Sequence, residues 1–316
     1  MVRIAIRWLV SSAALLFAVT ALTFVLASLA PGSAVRAVLG ANTSVTPQQY
    51  AQVKHQLGLD EPLPLQYWHW LYNLLHGSLG TDLFSGQPVT AALGTRIDAS
   101  LSLIVATIVV SGLAGVTVGT VSAVRGGVTG RILDTLTVFG FALPSFWLAL
   151  ILIEVLAVRV RLFPTTGYVA LDSDPGQWLR GIVLPVLTLS AGTTAAIARQ
   201  TRDSMLQVFG RDFITALRSR GLPLRVIVWK HALRNAAIPV VTTLGVVFIG
   251  LLGGTVLVEQ VFAIPGLGEA AVTATTNHDL AMIEGIAFYF AILVVVVNLL
   301  VDISYAVLNP KVRVAV

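Results

Sequence analysis

The chain has 316 residues, 56% of them hydrophobic and only 11% charged, and its mean hydropathy is +0.87. Soluble globular chains carry roughly a quarter charged residues, so an ordinary water-facing domain and a disordered chain are both excluded. The chain has no cysteine, which removes disulfides, thiolate metal sites, iron–sulfur ligation and cysteine nucleophiles together. Lys and Arg number 20 against 15 Asp and Glu, a net charge of +5, so where the charges lie says more than their total.

A membrane-crossing helix needs about 20 mainly apolar residues, because the hydrocarbon layer is roughly 30 Å thick and a helix rises about 1.5 Å per residue. Six runs meet that need in chain order: 8–30, 99–124, 135–153 (continuing past Glu154 to Val158), 181–198, 235–258 and 285–301. The first ends at a Pro31-Gly32 break and is longer than a signal-peptide core, so it reads as a retained span. With six spans both termini share a side, and Lys and Arg choose which. One side collects 14 of them: Arg3, Arg7, Arg125, Arg131, the eight from Arg199 to Arg234, Lys311 and Arg313. Arg36, Lys54, Arg96, Arg159, Arg161 and Arg180 fall on the other. The predicted architecture is an all-α polytopic membrane protein with six transmembrane helices and cytoplasmic N and C termini. Residues 1–98 form the first helix plus a long extracytoplasmic segment, and 99–316 a five-helix core.

In the first outer segment, Thr46-Pro47 supplies a helix cap and first helical position. Further on, Leu65, Trp68, Tyr72 and Leu75 share one helical stripe. Tyr and Trp favour the headgroup layer, so the stripe reads as a helix on the membrane or packed against neighbours, with an aromatic ligand site as the alternative. After the fifth span come Glu259, Phe262 and Ile264-Pro265-Gly266-Leu267-Gly268, where Pro-Gly-x-Gly forces a turn back at the outer mouth. Glu259 either faces a water-filled cavity, as functional intramembrane acids do, or is solvated at a span end. Glu259 and Phe262 are the candidate residues of a translocation path or outer gate.

The cytoplasmic loop between spans four and five is the most informative stretch. Asp212 is a good N-cap, Gly221 suits the left-handed position past a helix end, and Pro223 stops continuation. The sequence predicts a helix of about two turns at 212–221, with Phe213, Ala216 and Leu217 on one face. Small Ala216 allows close approach, and Arg218 and Arg220 flank it. Such a helix either rests on the inner leaflet, basic residues against anionic lipid, or docks into a groove of a soluble partner.

Thr215-Ala216-Leu217 followed by Gly221 resembles the cytoplasmic E-A-A-x-x-x-G signature of binding-protein-dependent ABC importer permeases. Lys230-His231-Ala232-Leu233-Arg234-Asn235-Ala236-Ala237-Ile238-Pro239 is similar to the R-H-A-L-R-N-A-x-x-P pattern of the dipeptide/oligopeptide/nickel branch. Leu57-Gly58-Leu59-Asp60-Glu61-Pro62-Leu63-Pro64, Gly77-Ser78-Leu79-Gly80, the segment Val261 through Gly268 and the closing run Asp302 through Arg313 resemble that branch's B-type permeases, in order along the chain. Thr215 replaces the signature's acid, and Arg234 stands where the general signature has proline; the peptide branch varies at both places.

The resemblance implies a type I ABC importer permease fold in a prokaryotic plasma (inner) membrane. It implies import of short peptides, with nickel and glutathione importers in the same branch. Asp212, Phe213, Thr215, Ala216, Leu217, Arg218, Gly221 and Leu222 would belong to a coupling helix seated in an ATPase subunit, with Thr215 unable to supply the acid's salt bridge. The implied partners are a homologous second permease, two ATPase subunits, a solute-binding protein and the bilayer, with no nucleic acid. Gly115-x-x-x-Gly119 and Gly250-x-x-x-Gly254 suit close span contacts.

The chain lacks the means to hydrolyse ATP itself. A P-loop needs Gly-Lys followed by Ser or Thr, and the three lysines, Lys54, Lys230 and Lys311, follow Val53, Trp229 and Pro310. No cofactor is expected in this chain; ATP and Mg²⁺ belong to the ATPase partners. The five histidines form no H-x-x-x-H pair, and His69 and His76 alone are spaced to share a helix face. An ion-coupled secondary transporter is the alternative reading and would need relay groups deep in the spans; only Glu154 interrupts an apolar run, with Pro144 the clearest midspan break. A membrane enzyme would need paired acids, of which Asp172 and Asp174 alone come close, and a channel would need a selectivity-filter repeat.

Overall fold

The computed structural model describes residues 2–30, 32, 34–39 and 46–308. Pro31, the closing Asn309-Pro310-Lys311-Val312-Arg313 run and the side chain of Arg3 lie outside the described residues. The elements are helical throughout: α1 (Val2–Leu29), α2 (Ala34–Leu39), α3 (Pro47–Gln56), α4 (Leu63–Leu75), α5 (Val89–Arg125), α6 (Gly127–Ala142), α7 (Ser145–Leu152), α8 (Pro175–Phe209), α9 (Asp212–Ser219), α10 (Leu224–Val226), α11 (Leu233–Val261), α12 (Leu267–Asn277) and α13 (Leu280–Leu308). Two π-helical turns, Ile153–Arg159 and Ile227–Ala232, prolong α7 and join α10 to α11.

Among the described residues, five helices are long and apolar enough to cross a membrane: α1, α5, α8, α11 (continuous with α10) and α13. The run 135–153, expected as one span, is two helices, α6 and α7 with its π-helical turn, bent by 96°: a broken sixth span or a re-entrant loop. The cause is local. Pro144 clashes with helical geometry at Leu143, whose ψ of 122° is extended, and α7 restarts after the break. Proline inside α8 (Pro185) and α11 (Pro239) leaves those helices continuous. Burial ranks the spans: 56% of the apolar window of α8 is buried within the chain, against 11% for α1 and 17% for α13. Thus α8 is a central packing post, while α1 and α13 present most of their surface outward.

The chain packs as two units, Met1–Ala99 with Pro265–Val295, and Ser100–Ile264 with Val296–Val316. The first unit is built round Val89 and Leu93 of α5, Leu267, Ala270 and Ala274 of α12, and Met282 and Ile286 of α13, with Leu79 from the preceding turn. Arg96 pairs with Glu269, tying α5 to α12. Tyr67 of α4 packs edge-on against Phe17 and Phe24 of α1, and its hydroxyl lies 2.9 Å from Thr20 Oγ1. The expected cap at Thr46 is present: its Oγ1 accepts from Gln49 N and the Gln49 side chain accepts from Thr46 N. On α4, Leu65, Trp68, Tyr72 and Leu75 are all exposed, so the stripe read from the sequence faces outward while Tyr67, Trp70 and Leu74 pack inward.

Asp279 is a joint of this unit. Its carboxylate accepts from Met282 N at the head of α13 and from Leu83 N in the distant turn, at 3.0 and 2.8 Å. Burial pushes its carboxyl above the ordinary value despite those two donors. Asp279→Ala leaves the buried Met282 N–H and the part-buried Leu83 N–H without their acceptor, and a loss of about 1–3 kcal/mol is expected. Thermal unfolding in detergent checks it, with Asp279→Asn expected to retain part of the stability.

The second unit is organised by α8, against which α6, α7 and α11 pack. Asp174 caps α8 by accepting from Gly176 N and Gln177 N, which hold its carboxyl below the usual range, the Gln177 bond foremost. Gly115 and Gly119 of α5 lie hard against α8: a Cβ at Gly115 would fall 2.7 Å from Ile197 Cβ, and one at Gly119 2.3 Å from Ala198 O. That pair makes the close contact its spacing suggested. Gly250 and Gly254 do not: a Cβ at either meets nothing within 4 Å, so their face of α11 is open among the described residues.

Candidate functional site: the loop helix and the end of α11

The helix expected at 212–221 is α9, Asp212–Ser219. Its start differs by one residue from the sequence reading. Arg211, with extended backbone (φ −85°, ψ 145°), holds the cap position, and Asp212 is the first helical residue without a side-chain capping bond. Asp212 still favours the helix by placing negative charge in the first turn. The far end matches the expectation. Gly221 has φ +73°, its N–H donates to Arg218 O at 2.9 Å, and Leu222 N donates to Leu217 O at 3.3 Å. This is a Schellman stop with its apolar partners Leu217 and Leu222 in place.

The faces of α9 are not those the sequence suggested. Phe213 and Leu217 do share a face, but its centre is Ile214, fully buried with Met205 and Val208 of α8 and Ile227, Val228, Ala232 and Ala236 beyond the loop. Phe213, Leu217 and Leu222 lie half-buried against that cluster. Burying Ile214 alone favours this seating by about 1.5–3 kcal/mol. The chain therefore absorbs its own apolar stripe. Ala216 points the other way, and Asp212, Thr215, Ala216 and Ser219 form an exposed, small, polar face at helical spacing. Ser219 Oγ donates to Thr215 O at 3.0 Å, and Arg211, Arg218 and Arg220 are exposed around the rim.

Two consequences follow from this geometry. The helix is fixed to α8 and α11 by its buried side. And its stop depends on a backbone conformation rather than on packing, since a Cβ at Gly221 meets nothing within 4 Å. Gly221→Val is expected to cost about 1–2 kcal/mol through the left-handed conformation alone, with Gly221→Asn costing less. Thermal unfolding of the two variants separates them.

At the other end of α11, Glu259 is fully buried rather than solvated, and Ser100 Oγ donates to its Oε1 at 2.7 Å. Phe262, also buried, ends the helix, and its carbonyl accepts from Gly167 N at 3.3 Å. The candidate gate residues thus anchor the end of α11 to α5 and to the loop before α8. A groove of about 490 Å³ lies among α6, α7, α8 and α11, with Phe141, Ser145, Thr188, Gly192 and the open Gly250 and Gly254 on its walls. Glu154, the acid a proton relay would have used, is exposed and bound to Arg159 Nε at 2.9 Å. Among the described residues no group of three His, Asp or Glu is placed to hold a metal ion.

Sequence reasoning missed Ile214 and Ser219, although the spacing 212, 215, 216, 219 was available once the cap was placed. It also missed Glu284, which served only to bound a span and is instead buried.

These helices define a multi-pass α-helical membrane protein. Residues 1–108 match the family described as the N-terminal part of the binding-protein-dependent transport system membrane component, and residues 115–314 match the binding-protein-dependent transport system inner membrane component. The chain is 37% identical over 309 residues to a probable peptide ABC transporter permease of Sinorhizobium fredii, covering 98% of both chains. It is 36% identical to a putative peptide transport system permease of Brucella abortus, covering 93% of this chain and 94% of that one. It is 38% identical to a glutathione transport system permease of Pectobacterium atrosepticum, covering 94% of each. The fold resembles the methionine ABC transporter MetNI in an inward-facing conformation, with a TM-score of 0.55 at 19% identity over 70% of this chain and 97% of that one. The chain belongs to the inner-membrane permeases of binding-protein-dependent ABC importers.

Proposed function

We propose that the chain is one half of the translocation pathway of an importer for short peptides. It pairs with a homologous permease, takes its energy from two ATPase subunits on the cytoplasmic side and receives substrate from a solute-binding protein on the other. The observation that carries this reading is α9: a helix with one side locked into its own chain and a small polar side left outward. A helix resting on lipid would turn its apolar face away from the protein and into the membrane; this one does the reverse.

In this reading the face of Asp212, Thr215, Ala216 and Ser219 seats in the ATPase cleft, Arg218 lies at its rim, and Phe213, Leu217 and Leu222 hold the handle to α8 and α11. Gly221 ends it. Closure of the ATPases on ATP would displace α9 as a rigid element, and α8 and α11 with it, between two packings of similar energy. The open face of Gly250 and Gly254 supports close approach of the second permease, and Glu259 and Phe262 hold the end of α11 that such motion would swing. The peptide assignment is supported by the names of relatives that align over nearly the whole chain.

Reconstitution tests it. Vesicles holding both permeases, the ATPases and the binding protein are expected to accumulate a labelled dipeptide only with ATP. Uptake by this chain alone under a proton gradient would overturn the reading in favour of an ion-coupled carrier.

A further inference from the structure

The first unit contains a cavity of about 320 Å³ walled by α1 to α4, the Thr81–Leu83 turn and the head of α13. That is within the range of small-molecule sites. Among the described residues, two of its polar groups are buried without a partner. Glu284 of α13 is 1% exposed and neither carboxylate oxygen has a hydrogen bond; Trp70 Nε1 of α4 is likewise unpaired. Other polar groups on the wall are engaged: His69 with Glu61, and the Gln66 amide with Glu61 O. Apart from Gln56 and Thr81, the remaining walls are apolar, including Phe24, Leu59, Leu83 and Leu280.

Buried polar groups are almost always paired, and each exception asks for an explanation. Here the exceptions are complementary in kind. Facing a cation, a carboxylate only accepts, and an indole N–H only donates. A ligand completing both must bring a cationic donor and a neutral acceptor on an apolar body. The amino end of a short peptide has that pattern: an ammonium, then a carbonyl oxygen, then side chains. Metal would find a single unpaired acid and no second anionic ligand on this wall beyond the paired Glu61, a poor set for a divalent ion.

We propose that this cavity binds the free amino end of a short apolar peptide, with Glu284 accepting from the ammonium and Trp70 donating to the first carbonyl. The choice of peptide rests on the function proposed above; the ammonium class rests on the cavity itself. Glu284 is then a specificity residue, selecting unblocked peptides.

The test uses the full chain in lipid nanodiscs, and equilibrium binding of labelled Ala-Leu against N-acetyl-Ala-Leu. Wild type is expected to bind Ala-Leu saturably and the acetylated form about tenfold or more weakly, because a charge-assisted pair is lost. Glu284→Gln, a near-isostere, is expected to lose that preference, and Trp70→Phe to weaken both peptides while keeping it. No saturable binding, equal binding of the two peptides by wild type, or an unchanged preference in Glu284→Gln would overturn the proposal and leave a water-filled void. The wild-type comparison stands even if a variant fails to fold. Uptake by the assembled importer separates the two readings. Peptide uptake without binding in this cavity overturns the site alone. Amine preference in an importer that takes up no peptide overturns the peptide function and keeps the site.

Discussion

Ala216→Trp is expected to abolish ATP-driven uptake while leaving the chain folded. Ala216 lies at the middle of the outward face of α9, exposed and on the side away from Ile214. A bulky residue there disturbs nothing within the chain, so its stability should change by no more than about 0.5 kcal/mol. Seating in a fitted cleft is different. A side chain at the centre of an interface commonly carries about 2 kcal/mol or more, and an indole where a methyl group fits should weaken docking about 30-fold or more at that value. The measurement is paired: co-purification of the ATPase subunits and peptide uptake on one hand, the unfolding temperature of the chain on the other. The expected pattern is loss of the first two with the third unchanged. Ile214→Trp should do the opposite, lowering stability first, because no space exists at that buried position.

The largest effect on stability is expected for Gly119→Leu. The added Cβ would lie 2.3 Å from Ala198 O and 2.7 Å from Thr201 Cβ. Neither neighbour yields easily. The carbonyl belongs to the backbone of α8, the most buried span, and Thr201 is itself buried, donating to Ile197 O at 2.7 Å. Overpacking of a well-filled core costs about 1–3 kcal/mol, and a backbone obstacle puts this substitution at or above the upper end. We expect folded chain to be largely lost from detergent extracts, judged by monodisperse elution and thermal unfolding. Gly254→Leu is the matched control, since nothing lies within 4 Å of a Cβ there. It should leave the single chain as stable as wild type and impair assembly with the second permease.

Charge gaps located the apolar centre of every span because lipid demands long uninterrupted apolar helices, but the helices run on past the gaps: α8 covers Pro175–Phe209 where the gap gave 181–198. The demand is one of length and composition, so it said nothing about the 96° bend after α6: a run broken by one proline has the same hydropathy as a straight one. Helix ends were readable where the local signal is specific, as at the Gly221 stop and the Thr46-Pro47 start. The start of α9 was less so, since Arg211 and Asp212 both tolerate the cap backbone. Which face of α9 turns inward was readable only in part: Phe213 and Leu217 were placed together, Ile214 was not. Phe213, Ile214, Ala216 and Leu217 fall within one side of the helix, and the contacts with Met205, Val208 and Ile227 decide that Ile214 rather than Ala216 is the buried centre. Glycine pairs behaved likewise: the spacing 115/119 and 250/254 is identical, and only the position of α8 distinguishes the packed pair from the open one.

The absence of cysteine allows the central claim to be tested at single residues. Thr215→Cys, Ser219→Cys and, as the buried reference, Ile214→Cys are to be labelled with a membrane-impermeant maleimide on inside-out vesicles, with and without the ATPase subunits. The account predicts that 215 and 219 label readily in the permease alone and become protected when the ATPases assemble, while 214 labels in neither case. Positions 215 and 219 labelling equally well in an assembled importer that hydrolyses ATP and takes up peptide would contradict it.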